Sequence, residues 1–449
     1  MTIINIAEKL DQSRFSKAHF LVLFLCTLCM IIDGFDVQAI SFAAPTLIAE
    51  WGVDKQSFGS VFGAGLLGMA IGAFTLAPLA DKLGRKPILI ISMIILSLSM
   101  GATVFADNMQ YLKVVRFIAG ISLGAIVPNA VALAGEFSPA KIRVTSMMII
   151  SSGFILGGVL GGALASYLIP LFGWQMVFII GAIAPFVMAM IMIFILPESL
   201  LFLTVQKKKL EQINIWLKRL QIEIASTSNS VFPYQLPQKT TDKASLKQLF
   251  ANGLALGTIL LWVILFMNLL ATFFLANWLP ILISQSGYAA QYAVWAGATF
   301  WLGGLFGNLV LGRFIDRYGF GSTLLLTFIL GILFISSIGF SIHSLTLVFV
   351  FIALTGFCIL GAQTALNALA AVYYPTEFRS TGAGWALGMG RLGSIFGPVI
   401  GGILIGLGLP ITYLFFIFTI PILCALVAMF VFWKMDKLPT KELDPVISK

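Results

Sequence analysis

The chain has 449 residues, 59% of them hydrophobic and 10% charged, with a mean hydropathy of +1.02; a soluble domain carries about 25% charge, so a cytoplasmic globular protein is excluded. Cys26, Cys29, Cys358 and Cys424 all lie in apolar runs, which leaves neither a disulfide framework nor a zinc pattern. The net charge of +9 rests on Lys and Arg scattered between apolar stretches, so the partner it implies is a lipid bilayer, not nucleic acid.

Met1 to Lys17 is polar, and the apolar run from Ala18 to Phe42 is too long for the core of a cleavable signal, which spans about 7 to 15 residues. A membrane crossing needs about 20 predominantly apolar residues. Twelve segments qualify: 18–42, 58–80, 88–106, 111–135, 144–169, 174–196, 251–284, 291–312, 321–342, 346–372, 380–407 and 411–433. The seventh is overlong and is expected to begin in the preceding loop. The even number puts both termini on one side, and 23 of the 27 basic residues then fall in segments on that same side. Lys and Arg of short loops stay in the cytoplasm, so both termini are expected there. The one long polar segment, Pro197 to Phe250, splits the chain into a bundle at 1–196, a linker at 197–250, a second bundle at 251–433 and a tail at 434–449. Within the linker, Leu210, Ile213, Leu217, Leu220 and Ile224 alternate steps of three and four amid Lys and Arg. That pattern describes an amphipathic helix suited to the anionic inner leaflet.

The two halves repeat each other. Gly153, Gly157, Gly158, Gly161 and Gly162 of span five answer to Gly393, Gly397, Pro398, Gly401 and Gly402 of span eleven at a constant offset of 240. Asp81-Lys82-Leu83-Gly84-Arg85-Lys86 after span two answers to Asp316-Arg317-Tyr318-Gly319 after span eight, and Glu136 and Arg143 after span four to Glu377 and Arg379 after span ten. Glycines four apart clear one helix face for a neighbouring backbone. Two alike bundles are the construction of transporters that rock one half against the other around a central site.

Twelve spans in two halves, with these two loop motifs, resemble the major facilitator superfamily. Within it, Asp33-Gly34-Phe35-Asp36, Pro197-Glu198-Ser199, Asn277-Trp278-Leu279-Pro280 and Gly390-Arg391-Leu392-Gly393 are similar to signatures of the aromatic acid:proton symporters. The resemblance implies an all-α membrane protein with two pseudo-symmetric six-helix bundles. It implies import of aromatic carboxylates of the benzoate or hydroxybenzoate type with protons, by alternating access, across the bacterial cytoplasmic membrane. A monomer driven by the proton gradient, with no cofactor, goes with it. Asp33, Asp36, Arg116, Glu136 and Arg391 match positions to which family members assign importance in transport, and Asp81, Gly84, Arg85, Asp316 and Arg317 match the gating loops.

The residues support part of this on their own. An ionisable group at mid-bilayer costs at least about 2.5 kcal/mol on insertion scales, so its default reading is functional. Asp33 and Asp36 are three apart, on one face of span one. Arg116 enters from the outer edge to about 8 Å, close to the depth of Asp36, so the two can pair. Asp33 is the better proton carrier, because an adjacent Arg lowers a carboxyl pKa while burial raises it. Arg391 lies near the midplane, and its fork matches a carboxylate; the alternative is a structural pair with Asp33. Arg116, Arg391, Asn129, Asn277 and Gln363 form the candidate substrate-binding set, with Asn268 and Asn367 as further polar groups and Phe35, Trp278, Trp301 and Trp385 as rings for stacking. Glu136, by its position, is expected to bind Lys141 or Arg143 at the surface. No Walker loop is present, so direct ATP drive is not expected. No nucleophile-base set marks an enzyme. The competing reading, proton-coupled efflux, would place Gly-Pro-x-x-Gly-Gly in span five, where Gly158 replaces the proline.

Overall fold

The computed structural model describes residues 10, 11, 13–205, 210–220, 249–251, 253–375 and 379–435. Ile224 and Glu377, and with Glu377 one side of the third repeated motif, lie outside them. The described chain is almost wholly helical. Six long helices form the first half: Lys17–Trp51, Ser57–Thr75 with its continuation to Leu83, Arg85–Thr103, Met109–Phe137, Arg143–Phe172 and Gln175–Ile195. The second half holds Ala255–Gln285, Ala290–Phe340, Leu345–Tyr373, Arg379–Gly406 and Ile411–Lys434.

Among the described residues eleven helices are long and apolar enough to cross a bilayer, yet they make twelve crossings. The helix Ala290–Phe340 has 51 residues, or about 77 Å, far more than the roughly 30 Å of a hydrocarbon core. It breaks at Gly319, where φ is 79° and ψ is 166°, into span eight (290–318) and span nine (320–340). Span seven begins at Ala255, after the polar approach, as its excess length suggested. Span one outruns the expected 18–42: it continues through Pro45 to Trp51 and closes at Gly52, whose φ of 61° is the left-handed stop of a helix C-terminus. Apolar counting sees the lipid-crossing part of a helix and not its overhang.

The chain divides into two compact units, one of Met1–Val53 with Ser60–Thr241, the other of Asp54–Gly59 with Asp242–Lys449. In the first, span one packs on spans four, five and six, and span three on spans four and six. In the second, span seven packs on spans eleven and twelve, and the broken helix on spans ten and twelve. The glycine repeat does the same work in each. A Cβ on Gly157 would stand 2.1 Å from the Ile31 carbonyl oxygen of span one, and a Cβ on Gly397 would stand 2.3 Å from the Leu270 carbonyl oxygen of span seven. Only glycine lets these backbones meet, and in lipid such close packing is a main source of helix association.

The linker helix, Leu210–Arg219, is seated differently from expectation. Ile213, Leu217 and Leu220 are buried against the protein rather than turned to a leaflet. Trp216 meets Phe137, at the end of span four, edge to face with centroids 6.3 Å apart. The apolar stripe is real; the inner end of the first unit, through Phe137 and the short helix Leu200–Val205, supplies the apolar surface it covers.

Candidate functional site

In the membrane part of the first unit, Asp33 and Asp36 share a face of span one and are both buried. Arg116 of span four reaches Asp36, Nη1 to Oδ1 at 3.2 Å, with the two side chains 4% and 2% exposed. Its Nη2 donates to Thr103 Oγ1 at 3.0 Å and lies 3.2 Å from Met100 Sδ, both of span three. Phe178 of span six lies under the guanidinium, 5.4 Å from carbon to ring centroid. Four helices thus contribute to one charge. The depth arithmetic for an Asp36–Arg116 pair holds, and the arginine's fork is turned on protein groups.

At the inner end of the same unit a second cluster ties three loops together. Arg85 Nη2 binds Glu136 Oε1 at 2.7 Å, and Ser199 Oγ donates to Glu136 Oε2 at 2.5 Å. The expected partners are engaged elsewhere or not at all with it. Arg143 donates to the carbonyls of Gly135 at 2.9 Å and Ser138 at 3.2 Å, closing the C-terminus of span four, and pairs with Asp11. Glu136 is half-buried, so a partner reaching in from another loop was available where the flanking basic residues were not.

Glu198 supplies what the start of span three lacks. That helix begins at Arg85 with Gly84 as its cap and two basic residues in its first turn, and it has no side-chain cap of its own. Glu198 Oε1 accepts from the backbone N–H of Arg85 at 2.8 Å, of Lys86 at 3.2 Å and of Ser199 at 2.8 Å. A carboxylate at a helix N-terminus satisfies orphan donors and favours the dipole. Burial pushes the Glu198 carboxyl above its ordinary range, while these N–H groups pull the other way. Gly84 has φ 102°, and a Cβ there would stand 2.2 Å from Glu198 Oε2. Asp81 is exposed beside the cluster. In the sequence Glu198 and Ser199 stand out only as part of a signature. The missed signal was a helix opening Gly-Arg-Lys, which calls for an anion from elsewhere.

In the second unit Arg391 is half-buried in Arg379–Gly406, about 18 Å from that helix's first residue and so near its middle. Asn268 of span seven donates to Gln363 of span ten at 2.8 Å, and Gln363 donates to Asn367 at 2.9 Å. Asn277 donates to the Phe273 carbonyl at 2.7 Å and, in the first unit, Asn129 to that of Ala125 at 2.8 Å, each on its own helix. Trp278 is fully buried and donates to the Pro398 carbonyl at 3.0 Å, and Trp301 is likewise buried, so neither ring presents a free face. Trp385 is exposed and stacks on Trp262. Gly319 repeats the backbone of Gly84 with φ 79°. Asp316 and Arg317 are exposed; among the described residues they form no ion pair, and Arg317 lies over the Tyr318 ring. No group of three or more His, Cys, Asp or Glu among the described residues is placed to hold a metal.

Comparison with known proteins agrees with this architecture. The chain is 38% identical over 426 residues to a gallate transporter of Pseudomonas putida, covering 95% of this chain and 94% of that one. It is 35% identical over 423 residues to a 4-hydroxybenzoate transporter of Acinetobacter baylyi, covering 94% and 93%. Among solved structures, a bacterial homologue of the human lysosomal transporter Spinster superposes with a TM-score of 0.73 at 15% identity, covering 95% of this chain and all of that one. Residues 26–295 and 261–447 each match the Major Facilitator Superfamily. With a family match across nearly its whole length and relatives this similar over more than nine-tenths of it, the chain is a multi-pass membrane protein that belongs to the major facilitator superfamily.

Proposed function

We propose that this chain is a proton-coupled secondary transporter that imports aromatic carboxylates by alternating access across the bacterial cytoplasmic membrane, with both termini inside. The observation that carries the reading is the buried Asp36–Arg116 pair with Asp33 one turn away on the same face of span one. Such charges are costly in lipid and default to a role in moving ions or substrate. The similarity to gallate and 4-hydroxybenzoate transporters supports the substrate class: a planar ring bearing a carboxylate.

In this reading Asp33 takes the proton and releases it on the inner side. Arg116, a substrate-contact candidate, is occupied by Asp36, Thr103 and Phe178 in this state, which favours a lock that opens and closes with transport. Arg391, permanently charged and able to bind bidentately, receives the substrate carboxylate. Gln363, Asn129 and Asn277 offer polar contacts along the route. Glu136, Asp81, Gly84 and Arg85 in one unit, and Asp316 and Arg317 in the other, form the inner gating loops. No cofactor is required, and the chain works as a monomer.

The test is uptake of labelled 4-hydroxybenzoate and gallate by cells expressing the chain, with and without a protonophore. Accumulation that collapses with the protonophore, and that is lost in Asp33→Asn, is expected. Uptake indifferent to the protonophore would sink the symport reading, and outward movement of cationic dyes would favour efflux.

A further inference from the structure

Spans seven and ten of the second unit are joined by a chain of side-chain amides whose direction is set at its buried end. Asn268, fully buried, directs its Nδ2 hydrogens to the Ile359 carbonyl oxygen at 3.4 Å and to Gln363 Oε1 at 2.8 Å. A backbone carbonyl only accepts, so Asn268 cannot turn over without losing that bond. The oxygen of Gln363 is thereby drawn inward and its Nε2 outward, where it donates to Asn367 Oδ1 at 2.9 Å. Each amide sets the next. The chain ends in the Nδ2 group of Asn367, two N–H donors that no described residue accepts.

Two further features set this arrangement apart from ordinary helix packing. Asn268 Oδ1, at the buried end, has no hydrogen-bond partner; an unmet buried acceptor costs stability, and packing alone gives no reason to keep it. The outer end is exposed but does not face lipid. At about 100° per residue, the large exposed hydrophobic side chains of this helix, Leu347, Val350 and Val372, lie roughly 100° to 160° round from Asn367. Gln363 lies only about 40° from it. Amides and lipid-facing side chains therefore occupy separate faces of span ten, and an exposed amide within a span belongs on a water-lined route.

We propose that Asn367, with the second Nε2 hydrogen of Gln363 beside it, is a specificity element that reads an oxygen substituent on the substrate's ring. The end of the chain offers mainly donors, with one lone pair left on Asn367 Oδ1, so it favours a ring carrying a hydroxyl group over a bare ring. Asn268 acts as a positioning residue that holds the donors outward. This inference rests on the reading of the chain as an importer of aromatic carboxylates. A site built to bind a hydroxyl discriminates well against the analogue lacking it, because its own polar groups are then left unpaired.

The experiment is competitive uptake of benzoate and 4-hydroxybenzoate by the full-length chain in cells, read as the ratio of their kcat/KM values. The wild type is expected to prefer the hydroxylated acid. Asn367→Leu and Asn367→Asp should lower that ratio about tenfold, the loss of one hydrogen-bonded contact. Asn367→Gln, which keeps the donors one methylene further out, should retain most of it. Asn268→Leu should lower the ratio partway, which a merely structural role would not do. Protonophore-sensitive uptake of both acids with an unmoved ratio in these variants overturns the specificity element alone. Failure of the wild type to take up either acid, or gallate, overturns the transport reading and this inference with it.

Discussion

Asp36 and Arg116 are worth more as a pair than either is as a charge. Breaking a buried pair by removing one partner is strongly destabilising, on the order of 3–5 kcal/mol, because the other charge is left behind without compensation. Arg116→Gln is therefore expected to lower the melting temperature sharply in detergent, and the double variant Asp36→Asn, Arg116→Gln to recover part of the loss. Equal losses in the single and double variants would mean that the pair is not what holds these helices. Glu198 offers a pH test. Burial raises its carboxyl above the ordinary value of 4.5, so the folded state resists ionisation more than the unfolded chain does. Its contribution to stability is fully present below that ordinary value and declines as pH rises through the raised one. Glu198→Gln keeps an acceptor for the three backbone N–H groups and removes the titration. Its melting temperature should improve relative to wild type as pH rises above the ordinary value of 4.5; a change in the opposite direction would contradict the assignment. At this scale the Asp36–Arg116 pair was legible, because helical rise alone sets the depth of both. The partner of Glu136 was not: Arg85 lies fifty-one positions away, and only the fold brings that loop over.

The two loop motifs share a backbone and differ in what surrounds it. Gly84 and Gly319 both hold a positive φ with an extended ψ, a region essentially closed to side-chain-bearing residues, at about 1–3 kcal/mol each. Around Gly319 a Cβ would meet nothing within 4 Å, whereas at Gly84 it would run into Glu198. Gly319→Ala is expected to cost that backbone strain alone. Gly84→Ala should cost more and also loosen the cap on span three, seen as a larger drop in melting temperature and faster proteolysis at the inner loops. Equal effects would mean that Glu198 yields freely. The repeat in sequence announced that the two turns would be alike. It carried no sign that one would be clasped and the other open, since the clasp comes from the linker, which has no counterpart in the other half. The linker helix itself illustrates the same limit: its apolar stripe was readable from spacing, but spacing does not say whether lipid or Phe137 covers the stripe.

For the whole molecule, the distribution of basic residues predicts which side each loop faces. Lys55→Cys should react with a membrane-impermeant thiol reagent added outside intact cells, and Arg313→Cys only after the membrane is opened. Background should be low, because three of the four natural cysteines are buried. The reverse pattern would invert the topology. Twelve crossings and two halves were legible because lipid imposes one length and one composition on every span. The amide chain from Asn268 to Asn367 was not: its members were visible singly, but their linkage depends on the register of span seven against span ten. The glycine seams carry one more consequence, in the vocabulary of mutational tolerance. Where a Cβ would stand about 2 Å from a neighbouring carbonyl oxygen, as at Gly157 and Gly397, one residue type alone is admissible, and every substitution is an enlargement. Phe194 and Ile403, by contrast, are 83% and 61% exposed on their helices, where any apolar side chain serves. A saturation scan of this chain would therefore show its narrowest columns at positions that touch neither proton nor substrate.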